Sequence, residues 1–355
     1  MSLSPRQLVS TGDRFSNNFD FLRFAAASCI ILSHAYALTT GYAAMHWNDP
    51  LLLVGQLGLA TLFVISGYLI SMSWDHSRSA LRFIWKRSLR VFPGLICGIL
   101  FVLLIVGPLA TDLSLGEYLS RLFSPAAMAT LPFFEGGATL GLFAVNPVPF
   151  FANAPLWTIP VEFGMYLVVV VLGVIGLLRR GRWILLLIAA DTLLWMLWYS
   201  DPALAKIRFT LYFLIGAYFY QQQDHIEYRP EIALSLCVVL LVAAMTPFVF
   251  FASLVCVPYL VLYAAHIPTA RISRFGARGD FSYGMYIYSY PIQQTLVLAT
   301  ANTLSIPALT VISFALTLPV AVLSWNLVES RALSLKGRGP GRRRTDERHP
   351  EGCNT

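Results

Sequence analysis

The chain has 355 residues, of which 57% are hydrophobic and 12% charged, roughly half the charged share of a soluble domain. Too few polar groups remain to cover a water-facing surface, so a soluble globular fold is excluded and lipid is the solvent. The formal net charge of +7 would point to nucleic acid only if the basic residues formed one patch, and they are instead distributed along the chain in a topological pattern.

Residues 1–19 are polar and read as a cytoplasmic N-terminal segment without a cleavable signal, so the first apolar run stays in place as a spanning helix. Apolar stretches of bilayer-crossing length then follow at 20–40, 51–73, 92–111, 156–178, 183–200, 206–222, 231–248, 251–268, 281–300 and 305–328. Pro247 and a short gap divide the seventh from the eighth. The expected fold is all-α: a polytopic integral membrane protein with about ten transmembrane helices and both termini cytoplasmic. The membrane domain is placed at 20–330, followed by a basic tail at 331–355 whose Gly, Pro and Arg content predicts disorder. Loop 112–155 is the largest outer segment.

Charge tests this count. With the N-terminus inside, every Lys and Arg except Arg121, Lys206 and Arg208 falls on the cytoplasmic side. Trp47, Trp157 and Trp198 fall near the outer interface, and Trp74, Trp183 and Trp325 near the inner one. Cys29, Cys97, Cys237 and Cys256 lie in apolar runs without metal or redox spacing, so they read as small buried hydrophobes and no metal is expected.

Ionisable groups at membrane depth are costly, which directs attention to Arg23, His34, Glu162, Asp191, His266 and Glu329. Arg23, Glu329 and His266 lie close enough to the inner interface to snorkel. Arg23 and His34 are eleven residues apart, which puts both on one helix face and about 16 Å apart along the axis. Asp20, three residues before Arg23, is placed to pair with it. Glu162 enters its helix from the outside and reaches about the depth of His34, so the two are expected to form an orienter–base pair; the alternative is two unrelated polar residues, each satisfied locally. Ser66 and Tyr68, Asn153 and Trp157, and Tyr283, Tyr286 and Ser289 add polar and aromatic groups inside or beside predicted spans. Lys86, Arg87 and Arg90 form a basic inner rim, or an ordinary topology-setting loop. For Asp191 a structural hydrogen bond competes with a catalytic role.

These segments resemble the membrane-bound acyltransferase 3 family, which O-acylates polysaccharides, lipopolysaccharide, nodulation factors and some macrolides. FDFLRFAAASCIILSH at 19–34 carries the Arg-x10-His pattern of the family. FVISGYLI, RSLRVFP, PLWTIPVEFGMYL and SYGMYIYSYP follow in the family order, and the likeness runs nearly to Glu329. Two departures are visible: Ser289 stands where the family commonly has His, and Ser330-Arg331 follows Glu329 where a Pro is usual. The first leaves His34 as the better-supported base.

The resemblance implies acetyl-CoA, or another acyl-CoA, as a cytoplasmic co-substrate, with Arg23, Arg87 and Arg90 near its phosphates. It implies a carbohydrate or lipid-linked glycan as acceptor, in a bacterial plasma membrane. His34 would act as general base and Glu162 would hold its imidazole; direct transfer and an acetyl-histidine relay both remain open. A proton-coupled transporter is the competing reading, since buried His, Glu and Asp also serve proton pathways, although no internal repeat accompanies them.

Overall fold

The computed structural model describes residues 17–46, 49–77, 79–125, 137–198, 207–267, 269 and 272–338. Trp47, Lys206, residues 1–16 and the tail beyond 338, on which some of the expectations above fall, lie outside them. Among the described residues the regular elements are helical, with one isolated bridge between Thr111 and Leu142.

The helices are α1 (Phe19–Thr40), α2 (Pro50–Ser77), α3 (Ala80–Phe101), α4 (Leu115–Leu122), α5 (Thr158–Val174) and α6 (Gly181–Leu197). They continue with α7 (Arg208–Gln221), α8 (Pro230–Ala243), α9 (Val249–His266), α10 (Ser282–Ala299) and α11 (Ile306–Ser324). Each of the ten apolar segments coincides with one helix; α4, in the outer loop, is additional. Six helical stretches are long and apolar enough to cross a membrane: Phe19–Thr40, Pro50–Ser77, Ala80–Ala110, Ala154–Val174, Val249–His266 and Ile306–Gly337. The others fall short for physical reasons. α7 and α8 have 14 residues each, or about 21 Å of rise, and α10 is rich in Tyr and Gln.

The outward faces are apolar, as a membrane protein requires: Leu109, Leu234, Leu241, Val255 and Val311 are all largely exposed. Inside, α2 packs most extensively against α7 and α1. Glycine permits the first crossing. A Cβ on Gly67 would stand 1.9 Å from the Phe213 carbonyl oxygen, and one on Gly216 would stand 2.3 Å from that of Val64.

Two helices run further than the apolar pattern indicates. α3 starts at Ala80, where the Ser79 hydroxyl accepts from the Arg82 amide, and it continues past Pro93 into a π turn, Val102–Val106. Lys86, Arg87 and Arg90 therefore lie on a helix, not on a loop, and Arg87 and Arg90 face a cavity. α11 continues through a second π turn, Trp325–Glu329, into Ser330–Ser334.

The described part of the outer loop is packed. Ser114 and Glu117 form a capping box for α4. Tyr118, Leu140, Leu142 and Phe143 then close a small core on Val102 and Val106 of the first π turn. Asn146 donates to the Gln294 backbone and side-chain oxygens, Gln294 donates to the Val148 carbonyl, and Asn153 to that of Ile287. These bonds pin the loop to α10 across the outer end of the bundle.

Candidate active site

An inner cavity of about 130 Å³ opens between α1, α2, α3, α5 and α10. Helix α1 supplies Arg23, α2 supplies Ser66, and α3 supplies Arg87 and Arg90. Glu162 and Tyr166 enter from α5; Ser282, Tyr283 and Tyr286 enter from α10.

The charges on its rim are organised by Asp280, which precedes α10. Arg23 donates to Asp20 at 2.9 Å and to Asp280 at 3.2 Å, and Arg90 donates to the same Asp280 oxygen. The Ser282 amide and hydroxyl donate to the other oxygen. Burial pushes the Asp280 carboxyl up, but Arg90, Arg23 and the Ser282 bonds outweigh it and hold it at about 2. The Arg90 guanidinium also lies over the rings of Tyr283 and Trp325. Arg87 donates to Ser73 at 2.7 Å, and its buried Nε has no partner among the described residues.

Deeper in the same cavity, Glu162 Oε1 accepts from the Ser66 hydroxyl at 2.7 Å and from Tyr166 at 2.5 Å. Tyr286 donates to the Pro155 carbonyl at 2.7 Å and shares a bond with Thr158.

An outer cavity of about 210 Å³ lies beyond. His34 lines it with Ser33, Tyr42, Gln56, Trp157 and Arg208. The His34 ring sits edge-on to Tyr290, with centroids 5.2 Å apart, and its buried Nδ1 has no hydrogen-bond partner among the described residues. Leu59 and Tyr286 belong to the walls of both cavities, so these side chains stand between the two.

Arg23, Arg87, Arg90, Ser66, Glu162, Tyr283 and Tyr286 are thus brought together on the inner side, and His34 and Trp157 on the outer. Glu162 and His34 line different cavities, and Glu162 accepts its hydrogen bonds from Ser66 and Tyr166. Tyr68, Asn153 and Ser289 are buried but belong to the walls of neither cavity. Tyr68 faces Gln223 and His266, at 3.3 and 3.4 Å. Asp191 accepts from Thr210 at 2.6 Å, away from both cavities. Glu329 is buried, accepts from Ser324 at 3.0 Å and leaves Oε2 without a partner among the described residues. No group of His, Cys, Asp and Glu suited to a metal ion occurs among the described residues.

Three functional neighbours escaped the sequence reading. Tyr166 follows Glu162 by four residues, a spacing that places both on one helix face. Asp280 is an acid beside an apolar run on the arginine-rich side, the position a counter-ion takes. Arg208 offered less: a cation before an apolar run normally signals only a helix end.

Residues 16–326 match a family model described as an acyltransferase domain. The chain is similar to an O-acetyl transferase of Shigella phage Sf6, 29% identical over 343 residues that cover 90% of this chain and 96% of the relative. It is also similar to Nodulation protein 10 of Rhizobium leguminosarum bv. viciae, 28% identical over 376 residues covering 94% of this chain and 97% of the relative. No solved structure matches the chain.

Proposed function

Since the chain belongs to the acyltransferase 3 family and is an acyltransferase, we propose that it moves an acetyl group from cytoplasmic acetyl-CoA to a hydroxyl of an extracytoplasmic carbohydrate. The observation that carries this reading is the pair of cavities that share Leu59 and Tyr286 as a wall, one rimmed by arginines, the other holding the unpartnered Nδ1 of His34. Two cavities on either side of one shared wall let a donor and an acceptor approach from opposite sides once Leu59 and Tyr286 give way.

Acetyl-CoA would supply the activated thioester carbonyl, with coenzyme A as the leaving thiol. The anionic phosphates of the donor fit the inner rim, where Arg87 has a buried Nε–H to give and where Arg23 and Arg90 are held in place by Asp280. Guanidinium planes so fixed lose little freedom when they engage phosphate. Pantetheine is narrow and uncharged, which suits the passage toward Tyr286.

On the outer side, His34 takes the proton from the acceptor hydroxyl as its oxygen bonds to the acetyl carbon. The carbon–sulfur bond breaks, and the imidazolium returns its proton to the departing thiolate, so that the free thiol leaves and His34 is neutral again. The perpendicular contact with the Tyr290 ring would keep the imidazole oriented. Glu162, with Oε1 engaged by Ser66 and Tyr166, contributes negative charge to the same path and favours the imidazolium through space. Trp157 offers an aromatic face to the acceptor sugar.

The membrane domain at 20–330 crosses a bacterial plasma membrane ten times with both ends inside; the charge pattern and the coincidence of ten helices with ten apolar segments support this. Purified protein given acetyl-labelled acetyl-CoA and a membrane glycan fraction should label the glycan. Solute flux in liposomes without any acetyl transfer would replace this reading with transport.

A further inference from the structure

We propose that Arg208 forms an anion subsite in the outer cavity, which binds a phosphate carried on a hydrocarbon chain by the acceptor. The proposal rests on the acetyltransferase reading only in assigning that phosphate to the acceptor.

Among the described residues that line the outer cavity, Arg208 is the sole Lys or Arg, and none is a carboxylate. Among the described residues its guanidinium has no hydrogen-bond or ion-pair partner. It is held by two rings instead, with its central carbon 5.0 Å from the Phe209 centroid and 5.6 Å from that of Phe250. Aromatic packing engages the face of a guanidinium and leaves its N–H edge to be satisfied. A half-buried cation without a counter-charge among the described residues is costly beside apolar side chains, and a ligand that brings the anion removes that cost.

The surroundings select the kind of anion. The outer cavity holds His34 and Trp157, the groups that would meet a sugar hydroxyl and a sugar face. A second, smaller cavity shares Arg208, Gln56 and Phe209 with it and is walled by Leu53, Val249 and Phe250. Arg208 therefore stands between the chamber that holds His34 and a cleft whose wall includes Leu53, Leu57, Val249 and Phe250. A phosphate that joins a glycan to a lipid chain has the same sequence of parts: sugar, anion, hydrocarbon. A finished neutral polysaccharide lacks the last two.

Bulk phospholipid has the same phosphate chemistry, so the test must separate the two sources. Purified full-length protein in detergent is examined by native mass spectrometry with a long-chain polyprenyl phosphate, the matching uncharged polyprenol, and phosphatidylglycerol. The expected result is one saturable polyprenyl phosphate adduct, weakened about 10- to 100-fold by Arg208→Gln, the loss of one charge-assisted contact. Arg208→Lys, which keeps the charge but not the planar fork, should bind at an intermediate level and also serves if Arg208→Gln does not fold. Equal binding of phosphate and polyprenol, or unchanged binding in both variants, overturns the subsite. Displacement by an equal amount of phosphatidylglycerol overturns the assignment to the acceptor. Arg208-dependent binding by a protein that transfers no acetyl group would support the subsite while removing the acetyltransferase reading.

Discussion

Arg23 Nη1 lies 3.2 Å from Asp280 Oδ2, and Arg90 donates to that same oxygen. One carboxylate thereby ties α1, α3 and the start of α10 around the mouth of the inner cavity. Asp280→Asn should release both guanidinium groups. The KM for acetyl-CoA is expected to rise about tenfold or more while kcat changes less, and unfolding stability should fall by on the order of 1–3 kcal/mol. A variant with normal KM would take Asp280 out of donor binding.

The same carboxyl sets a pH expectation. Its folded value of about 2 lies below the ordinary aspartate value of 3.8, so its contribution is complete above about pH 4 and fades only as pH falls toward 2. Wild type and Asp280→Asn should therefore show parallel stability–pH curves between pH 5 and 8. Curves that diverge inside that window would mean that another group titrates with Asp280.

His34→Ala should lower acetyl transfer by about 10² to 10⁴-fold while the protein still accumulates in the membrane. The motive is the buried, unpartnered Nδ1 in the outer cavity. Normal acetylation of surface glycan in cells with this variant would remove His34 from the chemistry.

Arg23→Lys and Glu162→Gln should fail in different ways. Lysine keeps the charge of Arg23 but cannot bridge Asp20 and Asp280 with a planar fork, so donor KM should rise. Glutamine keeps the shape of Glu162 and an acceptor for Ser66 and Tyr166 but loses the negative charge, so kcat should fall with donor KM intact. Steady-state kinetics in detergent decide; a loss confined to kcat in Arg23→Lys would place Arg23 with the chemistry.

Topology is open to a labelling test. In a cysteine-free background, Val145→Cys, whose native side chain is 83% exposed in the outer loop, should react with an impermeant maleimide in intact cells. Arg180→Cys, between α5 and α6, should react only after the membrane is opened. Labelling of both from outside contradicts the ten-span arrangement.

Composition and hydropathy determined the solvent, the helical class and the ten apolar segments, because an apolar run of given length has few other uses. Arg23 and His34 were legible as a pair because one helix carries both, and helical periodicity needs no tertiary information. The inward rim was less legible: α3 begins at Ala80, and only its cap at Ser79 and its packing show that Arg87 and Arg90 face a cavity. Relations between helices depended on the fold. Counting along each helix put Glu162 beside His34 on paper, whereas the packed helices give Glu162 to Ser66 and Tyr166 in the inner cavity and place His34 in the outer one. Asp280 as the shared counter-ion of Arg23 and Arg90, and Arg208 held between Phe209 and Phe250, likewise join segments far apart in the chain. Periodicity reports which residues share a helix face; only the packing of one helix on another decides what that face meets.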